Sequence, residues 1–249
     1  MPRDIICLMR ILVDALPKFI RNSKEFFNLA KFLFNLPEEL FSFRDKYKRG
    51  LIKNLDIYYD QNSNVSIDRI SNRTDINSLH ISIIKKFFLK RKNIKILDVG
   101  CGTGFLIECL NKKIVSSEFV GIDFNPPINK SISINKNANN NDIQFISCDI
   151  NSKLLEFRDN DFDIVLCTHV LEHLSNSKEL IFQMRRIVSE ALIIICPLEK
   201  EYKWGMNFHI NFFPSNDRFV KFLIQDQDQI PKYKTFQRLG DSMYIERYK

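Results

Sequence analysis

Three glycines alternate with other residues directly after an apolar run, in the stretch "KILDVGCGTGF". They are Gly100, Gly102 and Gly104, and Asp98 lies two residues before the first of them. Glycine lets a backbone turn tightly and approach a ligand closely, and a helix beginning near Phe105 would aim backbone N–H groups at an anion. The spacing therefore predicts a ligand-binding turn at the end of a buried strand.

Two further carboxylates end apolar runs. Asp123 closes "FVGID", and Asp149 closes "FISCD". A charged carboxylate forms short, strong and sometimes bidentate hydrogen bonds to hydroxyl groups. A dinucleotide fingerprint, GxGxxG, would need a third glycine where Phe105 stands, so the spacing argues against a nicotinamide dinucleotide.

The four histidines are the candidate bases. His169 and His173 lie four residues apart in "THVLEHL", and His209 follows the last strand of the alternating pattern. We interpret His169 and His209 as candidate catalytic residues, and His173 and His80 as structural side chains. No metal site is expected, because a zinc site would need added ligands at suitable spacing and no cysteine lies near these histidines.

Apolar runs and helical patterns alternate from residue 76 onward. Buried strands joined by crossover helices predict an α/β fold with a doubly wound, seven-stranded, mostly parallel sheet. A turn at Gly240-Asp241 predicts an antiparallel hairpin at the C-terminus. The stretch "NSKLLEFRDND" leaves room for only an abbreviated helix. The strand candidates are "IKILDVG", "EFVGID", "IQFISCD", "FDIVLCT", "ALIIICP", "YKTFQRL" and "SMYIERYK".

Composition and charge describe a globular chain with an N-terminal appendage. The chain has 249 residues, 45% of them hydrophobic, and a formal charge of +7, which a general richness in lysine explains without an anionic ligand. We divide it into an N-terminal helical segment, residues 1–50, and a main domain, residues 51–249.

The six cysteines show no metal-ligand spacing, and the N-terminal run shows no signal peptide or membrane span, so we expect a cytoplasmic protein.

The N-terminal segment has ten Lys or Arg against six Asp or Glu, a net charge of +4. Packing on the main domain is the expected fate of its helices. A peripheral contact of residues 1–48 with the inner membrane surface and a dimer contact are the alternatives.

The ordered set of motifs from about residue 58 to 249 resembles the class I S-adenosylmethionine-dependent methyltransferase family. The set consists of "LDVGCGTG", "VGID", "FISCDI", "FDIVLCTHVLEHL", "ALIIICP" and the terminal hairpin. The resemblance implies a Rossmann-like fold with S-adenosylmethionine as the cofactor. The Pro-Gly-Gly turn that many relatives place before the fifth strand is missing, since "RIVSEALIII" stands there.

The resemblance also implies roles for individual residues. The three glycines would lie against the methionyl part of the cofactor, with Asp98 near its amino group. Asp123 would accept the ribose hydroxyls, and Phe124 would pack on the adenine ring. Asp149 and the backbone of Ile150 would meet the adenine edge. The loop at His169 would face the substrate.

The acceptor is less defined than the cofactor. Aromatic residues after the fifth strand predict a pocket with apolar walls, and the segment resembles bacterial methyltransferases of surface-polysaccharide biosynthesis. They are Tyr202, Trp204, Phe208, Phe212 and Phe213. We expect methyl transfer, at oxygen, to a small-molecule, sugar or lipid-linked acceptor. Nucleic acid is not expected, because no Asn-Pro-Pro-aromatic motif follows the fourth strand. The alternatives are a nicotinamide-dependent reductase and a non-catalytic cofactor-binding subunit.

Overall fold

In a computed structural model of the protein, a seven-stranded sheet organises the described residues. The structure describes residues 11–34, 37–62, 78–88, 91–128, 141–202, 207–225, 227–238 and 240–248. The strand order is β3-β2-β1-β4-β5-β7-β6. The strands are β1 Lys95–Val99, β2 Glu118–Asp123, β3 Asp142–Ser147, β4 Phe162–Thr168, β5 Val188–Pro197, β6 Lys232–Arg238 and β7 Asp241–Arg247.

The sheet is parallel except at one strand. Strands β1 to β5 pair in parallel, whereas β7 is antiparallel to both β5 and β6. Arg238 pairs with Asp241 at the turn, and Gly240 has a φ of +80° that suits a tight hairpin. The predicted α/β fold, mostly parallel sheet and C-terminal hairpin are confirmed.

Helices cover both faces of the sheet because alternate strand residues point to opposite sides. Leu97 of β1 and Val165 of β4 belong to one apolar cluster, and Ile96 and Ile164 belong to the other. The main-domain helices are α5 Ser78–Phe87, α6 Phe105–Asn111, α7 Ile150–Glu156, α8 Ser177–Ile187 and α9 Asn216–Ile224. The first cluster lies under α7, α8 and α9, and the second under α5 and α6.

Two of the predicted crossover helices are short or lie outside the described residues. The seven-residue α7 is the abbreviated crossover that the sequence indicated. The predicted helix of residues 128–137 lies almost wholly outside the described residues, as do the expected first turn at Ile76 and residues 89 and 90.

The N-terminal helices pack against the main domain. They are α1 Lys18–Arg21, α2 Lys24–Phe34, α3 Glu38–Lys48 and α4 Leu55–Gln61. Phe27 and Phe41 form a cluster with Tyr202, and Phe43 joins a second cluster around Phe208. Both clusters involve the segment after β5. The division of the chain at residue 50 stays a prediction. Within the described ranges, no helix is both long and apolar enough to cross a bilayer.

Candidate active site

The glycine loop lies between β1 and α6, at the edge of the sheet where the parallel strands end. Gly100, Gly102 and Gly104 have φ values of +71°, +51° and +74°. Only glycine adopts this left-handed region readily. The amides of Gly100 and Cys101 both donate to Ile122 O, at 2.8 and 3.0 Å, so the loop is held against the neighbouring strand.

Asp123 joins this loop to the end of β2. Its Oδ2 accepts a hydrogen bond from the Gly102 amide at 3.0 Å, and its Oδ1 accepts one from the Asn125 amide at 3.0 Å. Each carboxylate oxygen has a second lone pair. The side chain is therefore fixed in orientation and can still accept further hydrogen bonds.

The turn after β4 packs directly on the glycine loop. A Cβ atom at Gly100 would lie only 2.2 Å from Val170 Cγ2. Val170 follows His169, which has a φ of +58° and whose amide donates to Ile195 O at 2.8 Å. In the strand order, β1 and β4 are neighbours at the point where the chain reverses direction across the sheet. Ligands of open α/β sheets bind at such a switch point.

Asp149 caps helix α7. Its carboxylate accepts hydrogen bonds from the amides of Asn151 and Ser152 and from Ser152 Oγ at 2.6 Å. Burial acts to raise the pKa of Asp149, but these hydrogen bonds outweigh it and keep the pKa below its ordinary value. Ile150 is the first residue of the helix, and the Phe124 ring is half-exposed near the end of β2. The predicted adenine contacts of these three residues stay predictions.

Asp98 is almost completely buried, in β1 between Gly121 of β2 and Leu166 of β4. Its charge acts to raise the pKa of the Cys101 and Cys167 thiols, although burial of each thiol is the larger cause. A carboxylate at this depth favours a cation beside it.

His169 is paired with a buried glutamate. Its Nδ1 donates to Glu172 Oε1 at 3.3 Å, which leaves the lone pair on Nε2, as a general base requires. Burial acts to raise the pKa of Glu172, but the hydrogen bond from His169 and the charges of His169, His173 and His209 hold it at about 2. Glu172 is therefore a carboxylate at neutral pH.

His209 has the same arrangement with a second buried glutamate. Its Nδ1 donates to Glu199 Oε1 at 2.6 Å. Arg44 of α3 is also buried and lies 3.5 Å from the same Glu199 oxygen. The Arg44 guanidinium stacks 4.5 Å from the Phe212 ring centroid and donates to Asn207 Oδ1 at 2.6 Å. The N-terminal helices thus support the residue that positions His209.

His173 lies between these two pairs. Its Nδ1 donates to Phe208 O at 3.2 Å, and its ring packs 4.8 Å from that of His209. Burial and the charge of His209 lower the pKa of His173.

Asn211 Nδ2 donates to Leu171 O and Leu174 O, both at 2.7 Å. These contacts hold the segment after β5 against the turn after β4.

Three of the aromatic residues after β5 pack against other elements of the protein, and the pocket with apolar walls stays a prediction. Tyr202 packs against α2 and α3, Phe208 packs against α3 and α4, and Phe213 packs in the core near α9. All three rings are buried. Trp204 lies outside the described residues. Tyr202 and Phe208 thus build the interface with the N-terminal helices.

Sequence reasoning missed Glu172, Glu199 and Arg44. A signal for Glu172 was present, since "HVLEH" places a carboxylate three residues after one histidine and directly before another. Glu199 and Arg44 had no comparable signal, because they are 155 residues apart in the chain.

The central part of the chain is similar to known proteins. Residues 97–196 match the family model described as a methyltransferase domain. The chain is 31% identical over 123 residues to a mitochondrial ubiquinone biosynthesis O-methyltransferase from Dictyostelium discoideum, covering 46% of this chain and 38% of the relative. It is 29% identical over 119 residues to a malonyl-[acyl-carrier protein] O-methyltransferase from Bacillus cereus, covering 47% and 42%. The matches thus span about two fifths of each relative.

Solved structures show the same fold at low sequence identity. A 1,6-didemethyltoxoflavin-N1-methyltransferase from Burkholderia thailandensis, with bound S-adenosylhomocysteine, aligns with a TM-score of 0.55 at 13% identity, covering 82% of this chain and 89% of that one. A magnesium protoporphyrin IX methyltransferase from Synechocystis aligns with a TM-score of 0.52 at 13% identity, covering 78% and 97%. Both of these methyltransferases share the fold of this chain, and neither the family match nor the fold favours the nicotinamide-dependent alternative.

Proposed function

We propose that this chain, which carries a class I S-adenosylmethionine-dependent methyltransferase domain, transfers a methyl group from S-adenosylmethionine to a small-molecule acceptor. The observation that carries the proposal is the glycine loop, with three left-handed glycines held by Asp123 at the switch point of the sheet. Such a loop lets the backbone approach a ligand where side chains would block it.

The surrounding residues fit the cofactor by their chemistry. The two lone pairs that remain on Asp123 suit the paired hydroxyls of a ribose. The buried carboxylate of Asp98 suits the positively charged amino group of the methionyl part. The half-exposed ring of Phe124 and the first turn of α7 would receive the adenine.

S-adenosylmethionine, when bound, supplies a methyl group on a sulfonium that is already electrophilic. The protein's task is then to hold the acceptor in line and exclude water, which is catalysis by positioning. An alcohol or phenol acceptor also needs a base. His169 has the tautomer for this role, fixed by Glu172, and lies in the turn that packs on the glycine loop. His209 is the second candidate, fixed by Glu199.

Oxygen is the acceptor atom that we propose. The names of the Dictyostelium and Bacillus relatives both specify O-methyltransferases. The test is to incubate the protein with S-adenosylmethionine and a panel of hydroxylated, carboxylated and amine acceptors, and to measure S-adenosylhomocysteine release. We expect release with a hydroxyl or carboxyl acceptor and its loss in His169→Ala. Turnover with amines alone would contradict the oxygen assignment.

A sugar or lipid-linked glycan of polysaccharide biosynthesis is the narrower acceptor proposal. It rests on the resemblance of the segment after β5 to bacterial methyltransferases of surface-polysaccharide biosynthesis, and saccharides therefore belong in the acceptor panel.

The cytoplasm is the proposed location. The described cysteines, residues 101, 109, 148, 167 and 196, are all free thiols, which suits a reducing compartment.

A peripheral membrane contact of the N-terminal helices is also proposed. Leu29 and Phe32 lie three residues apart on one side of α2, and the Phe32 ring is 83% exposed. Lys24 and Lys31 of the same helix would favour an anionic surface. Co-sedimentation with phosphatidylglycerol vesicles should fall in Phe32→Ser. It should not fall in Phe182→Ser, which replaces an exposed ring on α8. Equal binding of all three proteins would contradict the contact.

A further inference from the structure

Three potential metal ligands meet beside the His169 turn. One ligand atom each from Glu172, His173 and His209 lies within 4.8 Å of the other two. We infer that these three side chains form a binding site for one divalent transition-metal ion, next to the cofactor loop. The sequence alone predicted no metal site, because the contribution of Glu172 went unrecognised.

The His173 and His209 rings already make the hydrogen bonds that metal-binding histidines make. His173 Nδ1 donates to a backbone carbonyl, Phe208 O, and His209 Nδ1 donates to the Glu199 carboxylate. Both rings therefore carry their lone pair on Nε2. If the His209 lone pair binds the ion, His169 is left as the base. A histidine that binds a metal almost always donates its other ring N–H to a carbonyl or a carboxylate, which fixes the ring and increases its basicity.

Glu172 supplies the charge that the ion would balance. Its side chain is 1% exposed, and Oε1 accepts the hydrogen bond from His169. The Cys196 thiol, a weak donor, is a further side-chain partner of the carboxylate, and Oε2 meets no N–H or O–H donor among the described residues. An unsatisfied buried carboxylate oxygen is costly. Coordination of a cation would remove that cost.

The donor set indicates which ion to expect. Two imidazole nitrogens and one carboxylate suit Zn²⁺ or a similar transition ion better than Mg²⁺ or Ca²⁺, which prefer oxygen ligands alone. Tetrahedral Zn²⁺ with bonds of about 2.0–2.1 Å places its ligand atoms about 3.4 Å apart, so two ligand atoms at the 4.8 Å limit must close by about 1.4 Å. Three protein ligands leave a fourth position open, as in catalytic zinc sites.

The open fourth position of the ion would give the metal a role in the proposed methyl transfer. The catalytic part of this inference therefore rests on the proposed function. The turn that carries Glu172 and His173 packs on the glycine loop through Val170. An acceptor hydroxyl on the ion would lose its proton more readily, and His169, which is hydrogen-bonded to Glu172, would receive it. The acceptor class would therefore be an alcohol or phenol.

The test uses Co²⁺ as a spectroscopic probe and Zn²⁺ as its competitor. Purified, chelator-treated full-length protein is titrated with Co²⁺, and the visible absorption of the coordinated ion and the bound stoichiometry are measured. His173→Asn and His209→Asn each keep a donor near the Nδ1 position but remove Nε2. The matched control, His80→Gln, alters a buried histidine of α5 whose Nε2 lies 3.0 Å from Phe236 O.

We expect one Co²⁺ per chain in the wild type and in His80→Gln, displacement by Zn²⁺, and at least a tenfold loss of affinity in each Asn variant. Absence of Co²⁺ binding in the wild type would overturn the inference, as would equal binding in the Asn variants. A loss of equal size in His80→Gln would also overturn it, because cobalt would then report only general folding. S-adenosylhomocysteine binding, measured on the same samples without metal, tests the proposed function separately.

Discussion

The Gly102 amide donates a hydrogen bond to Asp123 Oδ2 at 3.0 Å. This contact joins the loop after β1 to the acid at the end of β2, 21 residues later. The acid that we propose for the ribose hydroxyls therefore also fixes the backbone of the loop that would receive the methionyl group. Loss of the Asp123 carboxylate should therefore weaken binding of both the ribose and the methionyl part of the cofactor.

Substitution of Gly100 should reveal how tightly the glycine loop packs on the His169 turn. An alanine at a left-handed position costs about 1–2 kcal/mol. At Gly100 the new Cβ would also overlap Val170 Cγ2, and overpacking adds about 1–3 kcal/mol. Gly50 is the matched control, since its φ is +69° and nothing lies within 4 Å of its Cβ position. Urea unfolding should show a clearly larger loss for Gly100→Ala than for Gly50→Ala, and equal losses would contradict the contact.

The strands and their mostly parallel arrangement were the predictable part of the fold. Buried parallel strands such as β4 and β5 are continuous apolar runs, and their period and length are visible in the chain itself. The hairpin was equally visible, because Gly240 marks the turn. The glycine loop and Asp123 could be placed for the same reason, since the loop directly follows β1 and Asp123 is the last residue of β2.

The partners of the histidines could not be predicted in this way. Glu199 and Arg44 meet only after α3 has packed on the segment after β5, and no local pattern encodes such a long-range contact. The same packing explains why Tyr202 and Phe208 face the N-terminal helices. Their aromatic character was visible in the sequence, but their partners were not.

Replacement of Asp149 should separate its capping role from its proposed adenine contact. Serine also caps helices, whereas alanine does not, and loss of a cap costs about 1 kcal/mol. Asp149→Ser should therefore retain the free energy of unfolding but bind S-adenosylhomocysteine more weakly, because serine is too short to reach the adenine. Asp149→Ala should lose both. Calorimetric titration that shows full affinity in Asp149→Ser would remove Asp149 from the binding site.

The buried pair of Arg44 and Glu199 should be coupled in stability. Arg44→Met would leave the Glu199 carboxylate buried without its cation, and removal of one partner of a buried ion pair costs about 3–5 kcal/mol. Glu199→Gln removes the charge that Arg44 balances. The double variant should therefore lose less than the sum of the two single variants in chemical denaturation. Strictly additive losses would show that the pair does not interact.

The rate at which each cysteine thiol is labelled should fall as its burial increases. Burial raises the pKa values of Cys101, Cys167 and Cys196, so at pH 8 fewer of these thiols are thiolates than in an ordinary cysteine. Mass spectrometry after brief iodoacetamide treatment should find Cys109 and Cys148, which are partly exposed, modified first. Equal labelling of all five residues in the native protein would contradict the placement of the strands that hold them.

The most direct test of the account is calorimetric titration of the protein with S-adenosylhomocysteine, which cannot turn over. We predict saturable binding in the wild type, a loss of at least about 100-fold in Asp123→Ala, matching about 2.7 kcal/mol or more, and no binding of NADH. Glu118→Gln, which changes an acid at the opposite end of the same strand, should bind like the wild type. Wild-type protein that does not bind S-adenosylhomocysteine, or that binds equally well without the Asp123 carboxylate, would contradict the assignment of the cofactor site.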